Sequence, residues 1–178
     1  QILKGKVRAK DFAILYRGHH LSRSFERALR ELGVRYHLSG GMSYFDRSEV
    51  RDVMAYLRML VNPDDNSAFL RVINTPRRGL GATTMGQLGD FAIEHELSLF
   101  AAAWKPEFLT QLAPRQREPL EDFLRLLVEY GDRAQRGDPI EAVNELLAAV
   151  NYRSYLDDAS DTPEQAEKRH QAVNELID

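Results

Sequence analysis

The sequence predicts a mainly α-helical fold with a small, incomplete α/β piece at its N-terminus. Beyond residue 42, apolar side chains recur at the spacing of one helix face. Before residue 42, two short apolar runs flank one amphipathic helix, which is the order of a strand-helix-strand unit. With 43% hydrophobic residues among 178, the chain has enough apolar material to form a core.

The N-terminal piece is predicted from two candidate strands and the helix between them. Asp11–Tyr16 has the length and composition of a buried strand, Tyr36–Gly40 is a weaker candidate, and Gly33 is expected to end the intervening helix. The apolar face of that helix would consist of Leu21, Phe25, Ala28, Leu29 and Leu32. Two strands are too few for a stable sheet, so we expect missing strand partners or a domain-swapped dimer.

The rest of the chain has the signals of successive helices. Asp46-Arg-Ser-Glu49 resembles a capping box, and Asn62-Pro63 is expected to stop the helix that follows it. The apolar stripe of that helix would be Val50, Val53, Met54, Leu57 and Leu60. Further helices are predicted at about 68–74, from Thr83 or Thr84 onward, and at about 97–104, 119–135, 139–150 and 163–177.

Composition excludes several classes of protein. The absence of cysteine excludes disulfides and thiolate metal sites, and no apolar stretch is long enough to cross a bilayer. We therefore expect a cytoplasmic protein with no membrane partner. Because the chain begins with Gln1 and its last predicted helix has no stop signal, we also expect a piece of a longer protein.

The charge is divided unequally between the two halves of the chain. Residues 1–89 hold fifteen Lys and Arg against eight Asp and Glu, although the whole chain has a net charge of -3. Such asymmetry indicates a basic binding face backed by an acidic, solvated one. The alternative is that both halves are ordinary soluble helix surfaces.

An arginine-rich turn lies in a segment without acidic residues between Asp65 and Asp90. Glycines let a backbone approach an anion closely, and a helix N-terminus adds unpaired N–H groups and partial positive charge. The turn resembles a helix-hairpin-helix device, in which Leu80 would point inward while the amides of Gly79 and Gly81 face a DNA phosphate. The predicted duplex-binding residues are Thr75, Arg77, Arg78, Gly79, Leu80, Gly81, Thr83 and Thr84. The alternative is a plain helix-helix turn.

A second candidate site follows the first predicted strand. Tyr16, Arg17 and His19 offer the stacking and phosphate contacts that suit single-stranded nucleic acid, and the alternative is a capped loop. Catalytic residues are not expected, because the only Gly-Lys pair, Gly5-Lys6, is followed by Val7 and lacks the hydroxyl of a nucleotide-binding loop. No metal site is expected either, since adjacent groups such as His19 and His20 point in different directions.

Several motifs together resemble the UvrD/Rep/PcrA helicases of superfamily 1, most like the Rep branch. The resemblance covers most of the chain and is most specific in residues 11–92. It is carried by Ala13-Ile-Leu-Tyr-Arg17-Gly-His-His-Leu-Ser-Arg23, Tyr36-His-Leu-Ser-Gly-Gly41-Met-Ser-Tyr-Phe-Asp46-Arg-Ser-Glu49, Ala55-Tyr-Leu-Arg58, Asn62-Pro-Asp-Asp65 and Asn74-Thr-Pro-Arg-Arg-Gly-Leu-Gly81.

The resemblance implies an ATP-driven motor that moves 3′ to 5′ on single-stranded DNA and separates the duplex. Residues 1–41 would be part of the second RecA-like motor domain, and residues 42–178 most of its helical accessory subdomain, truncated at the C-terminus. Arg17 falls where the family has an arginine near single-stranded DNA, whereas His19 stands where asparagine is common. Gly79-Leu80-Gly81 falls on the duplex-contacting loop, which more often reads Gly-Ile-Gly in the family.

The resemblance also implies cofactors and partners outside these residues. This segment alone should be inactive, because the parent's ATP and Mg2+ would be bound by motifs elsewhere. Its partners would be duplex DNA at the fork, single-stranded DNA near Arg17, and the remaining motor domains of the same chain, in replication or repair. The alternative is a protein-interaction or autoinhibitory module of the same helicase, which would dock partners through the acidic helices after Asp90.

Overall fold

The computed structural model describes residues 8–18, 21–39 and 43–177. Within them the chain forms ten α-helices and two short 3-10 turns, Ala9–Asp11 and Tyr44–Asp46. The helices are α1 (Ser22–Glu31), α2 (Ser48–Val61), α3 (Asn66–Val72), α4 (Ala82–Glu94), α5 (Leu99–Ala103), α6 (Pro106–Leu109), α7 (Pro114–Arg136), α8 (Pro139–Ala149), α9 (Tyr152–Asp158) and α10 (Pro163–Ile177). The chain divides into two compact units, residues 1–48 and 49–178.

The larger unit is a helical assembly around one apolar core. The long helix α7 packs on α8, α8 packs on α9, and α5 connects α3, α4 and α7 by contacting all three. The core extends from Val53 in α2 to Val173 in α10. Its largest fully buried side chains include Tyr56, Phe69, Phe108, Phe123 and Tyr152. The mainly helical fold predicted from the apolar spacing is therefore confirmed.

Most helix boundaries in this unit fall close to the predicted ones. Helix α10 spans Pro163–Ile177 as predicted, and α2 ends at Val61, immediately before Asn62-Pro63. Helix α7 begins five residues before the predicted start, because Pro114 occupies its first turn and Pro119 is tolerated inside it. Helices α6 and α9 were not predicted, being only four and seven residues long.

The inward face of α2 differs from the predicted stripe. Met54 is 40% exposed, whereas Tyr56 and Met59 are buried. The buried face also includes the carboxylate of Asp52, which accepts a hydrogen bond from the Tyr152 hydroxyl at 2.8 Å. The buried face of α2 thus includes a hydrogen-bonded polar side chain, which the spacing of apolar residues did not predict.

The two predicted strands are wrong for the part of the N-terminal unit that the structure describes. Residues 11–16 and 36–39 form no strand, and Leu15 is 94% exposed; Gly40, the end of the second candidate, lies outside the described residues. A strand requires a neighbour to pair with its backbone groups, and neither segment pairs with the other. The strand-helix-strand piece is therefore reduced to a helix flanked by irregular chain.

The predicted apolar face of α1 is also wrong as a buried face. Leu21, Phe25 and Leu32 are between 40% and 60% exposed, while Ser22 and Glu26 are buried. The Glu26 carboxylate accepts hydrogen bonds from the hydroxyls of Tyr36 and Ser43, so the polar side of the helix turns inward. Gly33, with φ of +64°, follows the last turn of α1 and confirms the predicted helix end.

No helix among the described residues is both long and apolar enough to cross a membrane.

Candidate nucleic-acid interface

The arginine-rich turn forms the connection between α3 and α4. Gly79 has φ of +72°, a left-handed conformation that glycine adopts without steric cost. Leu80 is only 3% exposed and packs into the core, as expected from the hairpin pattern. Gly81 is the extended N-cap residue of α4, with φ of -74° and ψ of 172°. The buried leucine anchors a loop whose two glycines are both exposed.

Asn74 organises the backbone of this loop. Its Oδ1 accepts hydrogen bonds from the N–H groups of Arg78 and Leu80, each at 3.3 Å. Its Nδ2 donates to the carbonyl oxygen of Leu80. Asn74 therefore binds the inner amides of the loop and holds the Leu80 peptide group on both sides. Asn74 was not among the predicted site residues, although an asparagine before a turn is a known sign of side-chain to backbone bonding.

The N–H groups of Gly79 and Gly81 differ from those of Arg78 and Leu80, which Asn74 binds. Among the described residues, no acceptor receives a hydrogen bond from the N–H of Gly79 or Gly81. A Cβ built on either glycine would meet no described atom within 4 Å, so the space beside them is open. No described side chain caps helix α4, and the first N–H groups of a helix have no intrahelical partner. This loop can therefore offer several backbone donors to one anion.

The two arginines of the turn have different environments. Arg77 is exposed, and within the described residues it has neither a hydrogen bond nor an ion pair. Arg78 is half-buried and points inward. Its Nη1 donates to the carbonyl oxygens of Val72 and Ile73 at 2.9 and 3.0 Å, and to that of Pro76 at 3.2 Å. The predicted pair of phosphate contacts is thus divided into one available cation and one that is bound internally.

The inner side of Arg78 rests on two aromatic residues. Its Nη2 donates to the Tyr56 hydroxyl at 3.2 Å, and its guanidinium carbon lies 3.9 Å from the centre of the Phe123 ring. The Tyr56 hydroxyl in turn donates to the carbonyl of Thr75. Burial raises the pKa of Tyr56 above its ordinary value, so the phenol stays protonated as a donor. Arg78 and Tyr56 together fix the start of the loop to α2 and α7.

The three threonines of the predicted site also differ in availability. The Thr75 hydroxyl donates to the carbonyl of Arg71 at 2.9 Å, inside the C-terminal turn of α3. Thr84 is 2% exposed, and its hydroxyl accepts a hydrogen bond from Gln116 at 2.8 Å. Thr83 is exposed in the first turn of α4. Of the three hydroxyls, only that of Thr83 is on an exposed residue and has no hydrogen bond to another described residue.

Arg71, the third arginine of the acid-free segment, is paired internally. It forms an ion pair with Asp52 at 2.7 Å, and Asp52 also accepts the hydrogen bond of Tyr152. Burial raises the pKa of Asp52, while the Tyr152 hydrogen bond and the Arg71 charge oppose that rise. This cluster ties α2, α3 and α9 together below the loop, and we assign it to the support of the loop rather than to contact with a ligand.

A groove of about 530 Å3 adjoins the exposed side of Arg77. Pro76 lines it on the loop side, and Asn151, Ser154 and Tyr155 line it on the side of α8 and α9. Asp158 also lines the groove, so its charge is mixed. On the loop, by contrast, Arg77 is the exposed charged side chain, and the first turn of α4 holds no acidic residue.

The second predicted site lies in the N-terminal unit. Arg17 is exposed, and Tyr16 stacks on Phe25 with ring centres 6.2 Å apart. His19 lies outside the described residues, so its part in this site stays a prediction. Among the described residues, no group of three or more His, Cys, Asp or Glu side chains could hold a metal ion.

Comparison with known proteins gives one family and several relatives. Residues 1–105 match the family model described as UvrD-like helicase C-terminal domain. The chain is 44% identical over 172 residues to ATP-dependent DNA helicase Rep of Escherichia coli (strain K12), covering 97% of the chain and 25% of the relative. It is 31% identical over 173 residues to ATP-dependent DNA helicase PcrA of Bacillus subtilis (strain 168), covering 97% of the chain and 23% of the relative. The chain spans about a quarter of the length of these curated relatives.

Proposed function

This chain belongs to the UvrD-like helicase C-terminal family, and from that premise we propose that its α3–α4 loop holds the sugar-phosphate backbone of duplex DNA for an ATP-driven helicase. The proposed parent is a Rep-like enzyme that moves 3′ to 5′ on single-stranded DNA and unwinds duplex in replication or repair. ATP and Mg2+ would be bound by parts of the motor outside these residues. The contribution of this segment is mechanical and electrostatic rather than chemical.

The observation that carries the proposal is the free pair of glycine amides beside an exposed arginine. Gly79 and Gly81 offer N–H groups that no described residue uses, and Arg77 adds a full positive charge next to them. The N-terminus of α4, a helix of thirteen residues, adds partial positive charge at the same place. Contacts of this kind position a protein on DNA without reading its sequence.

The proposed contacts form a subset of those predicted from the sequence. Arg77, Gly79, Gly81 and Thr83 face the DNA, whereas Leu80 anchors the loop in the core. The Thr75, Arg78 and Thr84 side chains serve the protein interior, since each already has an internal partner. We assign Tyr16 and Arg17 to single-stranded DNA, and residues 1–41 and 42–178 to the motor domain and its helical insertion respectively.

Holding the duplex gives this segment a regulatory role in the proposed enzyme. If the loop grips duplex in one arrangement of the helicase and not in another, the difference in DNA contact shifts the population between them. The segment would thereby bias the motor between unwinding and simple translocation.

The test is charge reversal of Arg77 in the full-length helicase, with Arg136→Glu as the matched control. The loop rests on α7 at Phe123, through Arg78. Arg136 lies thirteen residues further along the same helix, which is about 20 Å along its axis. Both variants change the net charge equally. Arg77→Glu should weaken duplex binding and unwinding, whereas Arg136→Glu should leave both near the wild-type level.

Salt dependence gives the second readout of this test. An Arg77→Ala variant should reduce the slope of log affinity against log salt by about 0.9, the value for one lost phosphate contact on duplex DNA. Unchanged duplex affinity and slope in both Arg77 variants would contradict the proposal. Altered unwinding with unchanged duplex affinity would instead favour the protein-interaction or autoinhibitory alternative.

A further inference from the structure

We propose that Asn74 and Arg78 are positioning residues, which hold the Gly79-Leu80-Gly81 loop in its anion-binding conformation before DNA arrives. The inference rests on the proposed function and assigns the geometry of the site to two side chains that do not contact DNA. It also changes the expected role of Arg78, which the sequence alone placed among the phosphate ligands.

Asn74 binds the N–H groups of two loop residues, Arg78 and Leu80, and leaves those of the glycines unbound. Because Asn74 also donates to the Leu80 carbonyl, the Leu80 peptide groups cannot rotate without breaking these bonds. The glycine amides are therefore the ones left for a ligand. Without Asn74, two inner N–H groups would lose their acceptor and the loop would reorganise to satisfy them.

Arg78 holds the start of the loop against helices α2 and α7. Its guanidinium donates to carbonyls at the end of α3 and to the Tyr56 hydroxyl, and it lies over the Phe123 ring. Five N–H donors in a planar fork can satisfy this set, whereas the single ammonium of lysine cannot. These contacts fix the position of Arg78, the residue directly before Gly79, between α2 and α7.

The positive charge of Arg78 also favours an anion at the loop. No carboxylate among the described residues forms an ion pair with Arg78, so its positive charge is not cancelled locally. The charge lies one residue from Gly79 and is half-buried, where screening by salt is weaker than at the surface. Arg78 thus attracts an anion to the loop while its hydrogen bonds remain internal.

The benefit of this arrangement is preorganisation. A loop that is already in its binding conformation loses little conformational freedom when a ligand arrives, so more of the contact energy appears as affinity. Gly79 adopts its left-handed conformation between two residues whose N–H groups Asn74 already binds, in agreement with a loop that the protein itself holds in place.

The experiment compares Arg78→Lys with Arg136→Lys in the full-length helicase, with a short DNA duplex as the probe. Arg136 is exposed at the C-terminal end of α7 and outside the proposed interface, so Arg136→Lys should bind duplex like wild type. Arg78→Lys keeps the charge but loses the fork, so duplex affinity should fall by about tenfold with an unchanged salt slope. Equal affinity of Arg78→Lys and wild type would overturn the role of Arg78.

A double-mutant cycle between Asn74→Ala and Gly79→Ala tests Asn74. If Asn74 acts through the loop, each single variant should weaken duplex binding by about tenfold, and the double variant should be hardly weaker than either. Losses that multiply would mean that Asn74 acts independently of the loop and would overturn its role. Asn144→Ala, an exposed asparagine in α8, is the control and should bind like wild type.

Two further outcomes keep the inference distinct from the proposed function. Thermal unfolding of each variant sets a temperature at which all are folded, and binding is compared there. If Arg77→Glu and Gly79→Ala leave duplex affinity unchanged, the proposed function fails and the positioning role fails with it. If they weaken binding while Asn74→Ala and Arg78→Lys do not, only the positioning role is overturned.

Discussion

The guanidinium carbon of Arg78 lies 3.9 Å from the centre of the Phe123 ring, across 45 residues of sequence. A cation over the face of an aromatic ring is attracted by the ring quadrupole, most strongly where water is excluded. Phe123 is 1% exposed, so this contact is in the core at the base of the loop. It links the longest helix of the chain directly to the turn that we propose to bind DNA.

The first prediction concerns this pair. Phe123→Leu keeps an apolar side chain but removes the ring face, so we expect the free energy of unfolding to fall by about 1–3 kcal/mol. Urea unfolding of the chain measures it. Phe108→Leu is the control, because Phe108 is equally buried and contacts Phe91 rather than a cation. A loss no greater than that of the control would show that the ring face contributes nothing beyond its apolar surface.

Much of the structure around this contact could be predicted from the sequence, but the contact itself could not. The apolar spacing predicted the helices, and the glycines with their flanking arginines predicted the loop and the inward Leu80. The partners of Arg78 could not be predicted, because Tyr56 and Phe123 are brought to it by tertiary packing from helices 22 and 45 residues away. The predicted strands failed for a related reason: a strand depends on a neighbour, and local sequence does not show whether the neighbour is present.

The second prediction concerns the left-handed conformation of Gly79. Gly79→Ala should lower the free energy of unfolding by about 1–2 kcal/mol, because a Cβ at positive φ approaches the following carbonyl oxygen. The cause would be backbone strain and not a collision, since no described atom lies within 4 Å of the added Cβ. Gly79→Asn should cost less than Gly79→Ala, as asparagine tolerates this region. Equal stability of Gly79→Ala and wild type would mean that the loop can leave this conformation freely.

The third prediction is a pH dependence at the start of α3. The N–H of Ala68 donates to the Asp65 carboxylate at 3.0 Å, and Arg58 forms an ion pair with the same carboxylate. Both contacts lower the pKa of the Asp65 carboxyl. Because the pKa of Asp65 is lower in the folded state than in the unfolded state, the ionised carboxylate stabilises the fold. This stability is present above the unfolded-state pKa of 3.8 and is lost as the pH falls through the folded-state pKa. Asp65→Asn keeps an N-cap acceptor without the charge. The wild type should therefore be more stable near pH 7, and its advantage should shrink in acid.

Urea unfolding of both proteins at several pH values from about 7 to below the unfolded pKa measures this difference. Helix α3 leads directly into the loop, so hydrogen exchange of its amides gives a local readout of the same effect. A stability difference that stays constant over the whole pH range would show that the charge of Asp65 has no role in holding α3.

The last prediction separates stability from DNA binding at Gly81. This residue is the N-cap of α4 in an extended conformation, and no side chain among the described residues caps the helix. Gly81→Ser would supply a hydroxyl that accepts from the free N–H groups of the first turn, with open space for its Cβ. We expect a gain in the free energy of unfolding of a few tenths of a kcal/mol. Duplex affinity should nevertheless fall, because the hydroxyl occupies donors that we assign to a phosphate. Urea unfolding and duplex titration of the same variant measure both effects, and a variant that gains stability while binding duplex as tightly as wild type would remove the α4 N-terminus from the proposed contact.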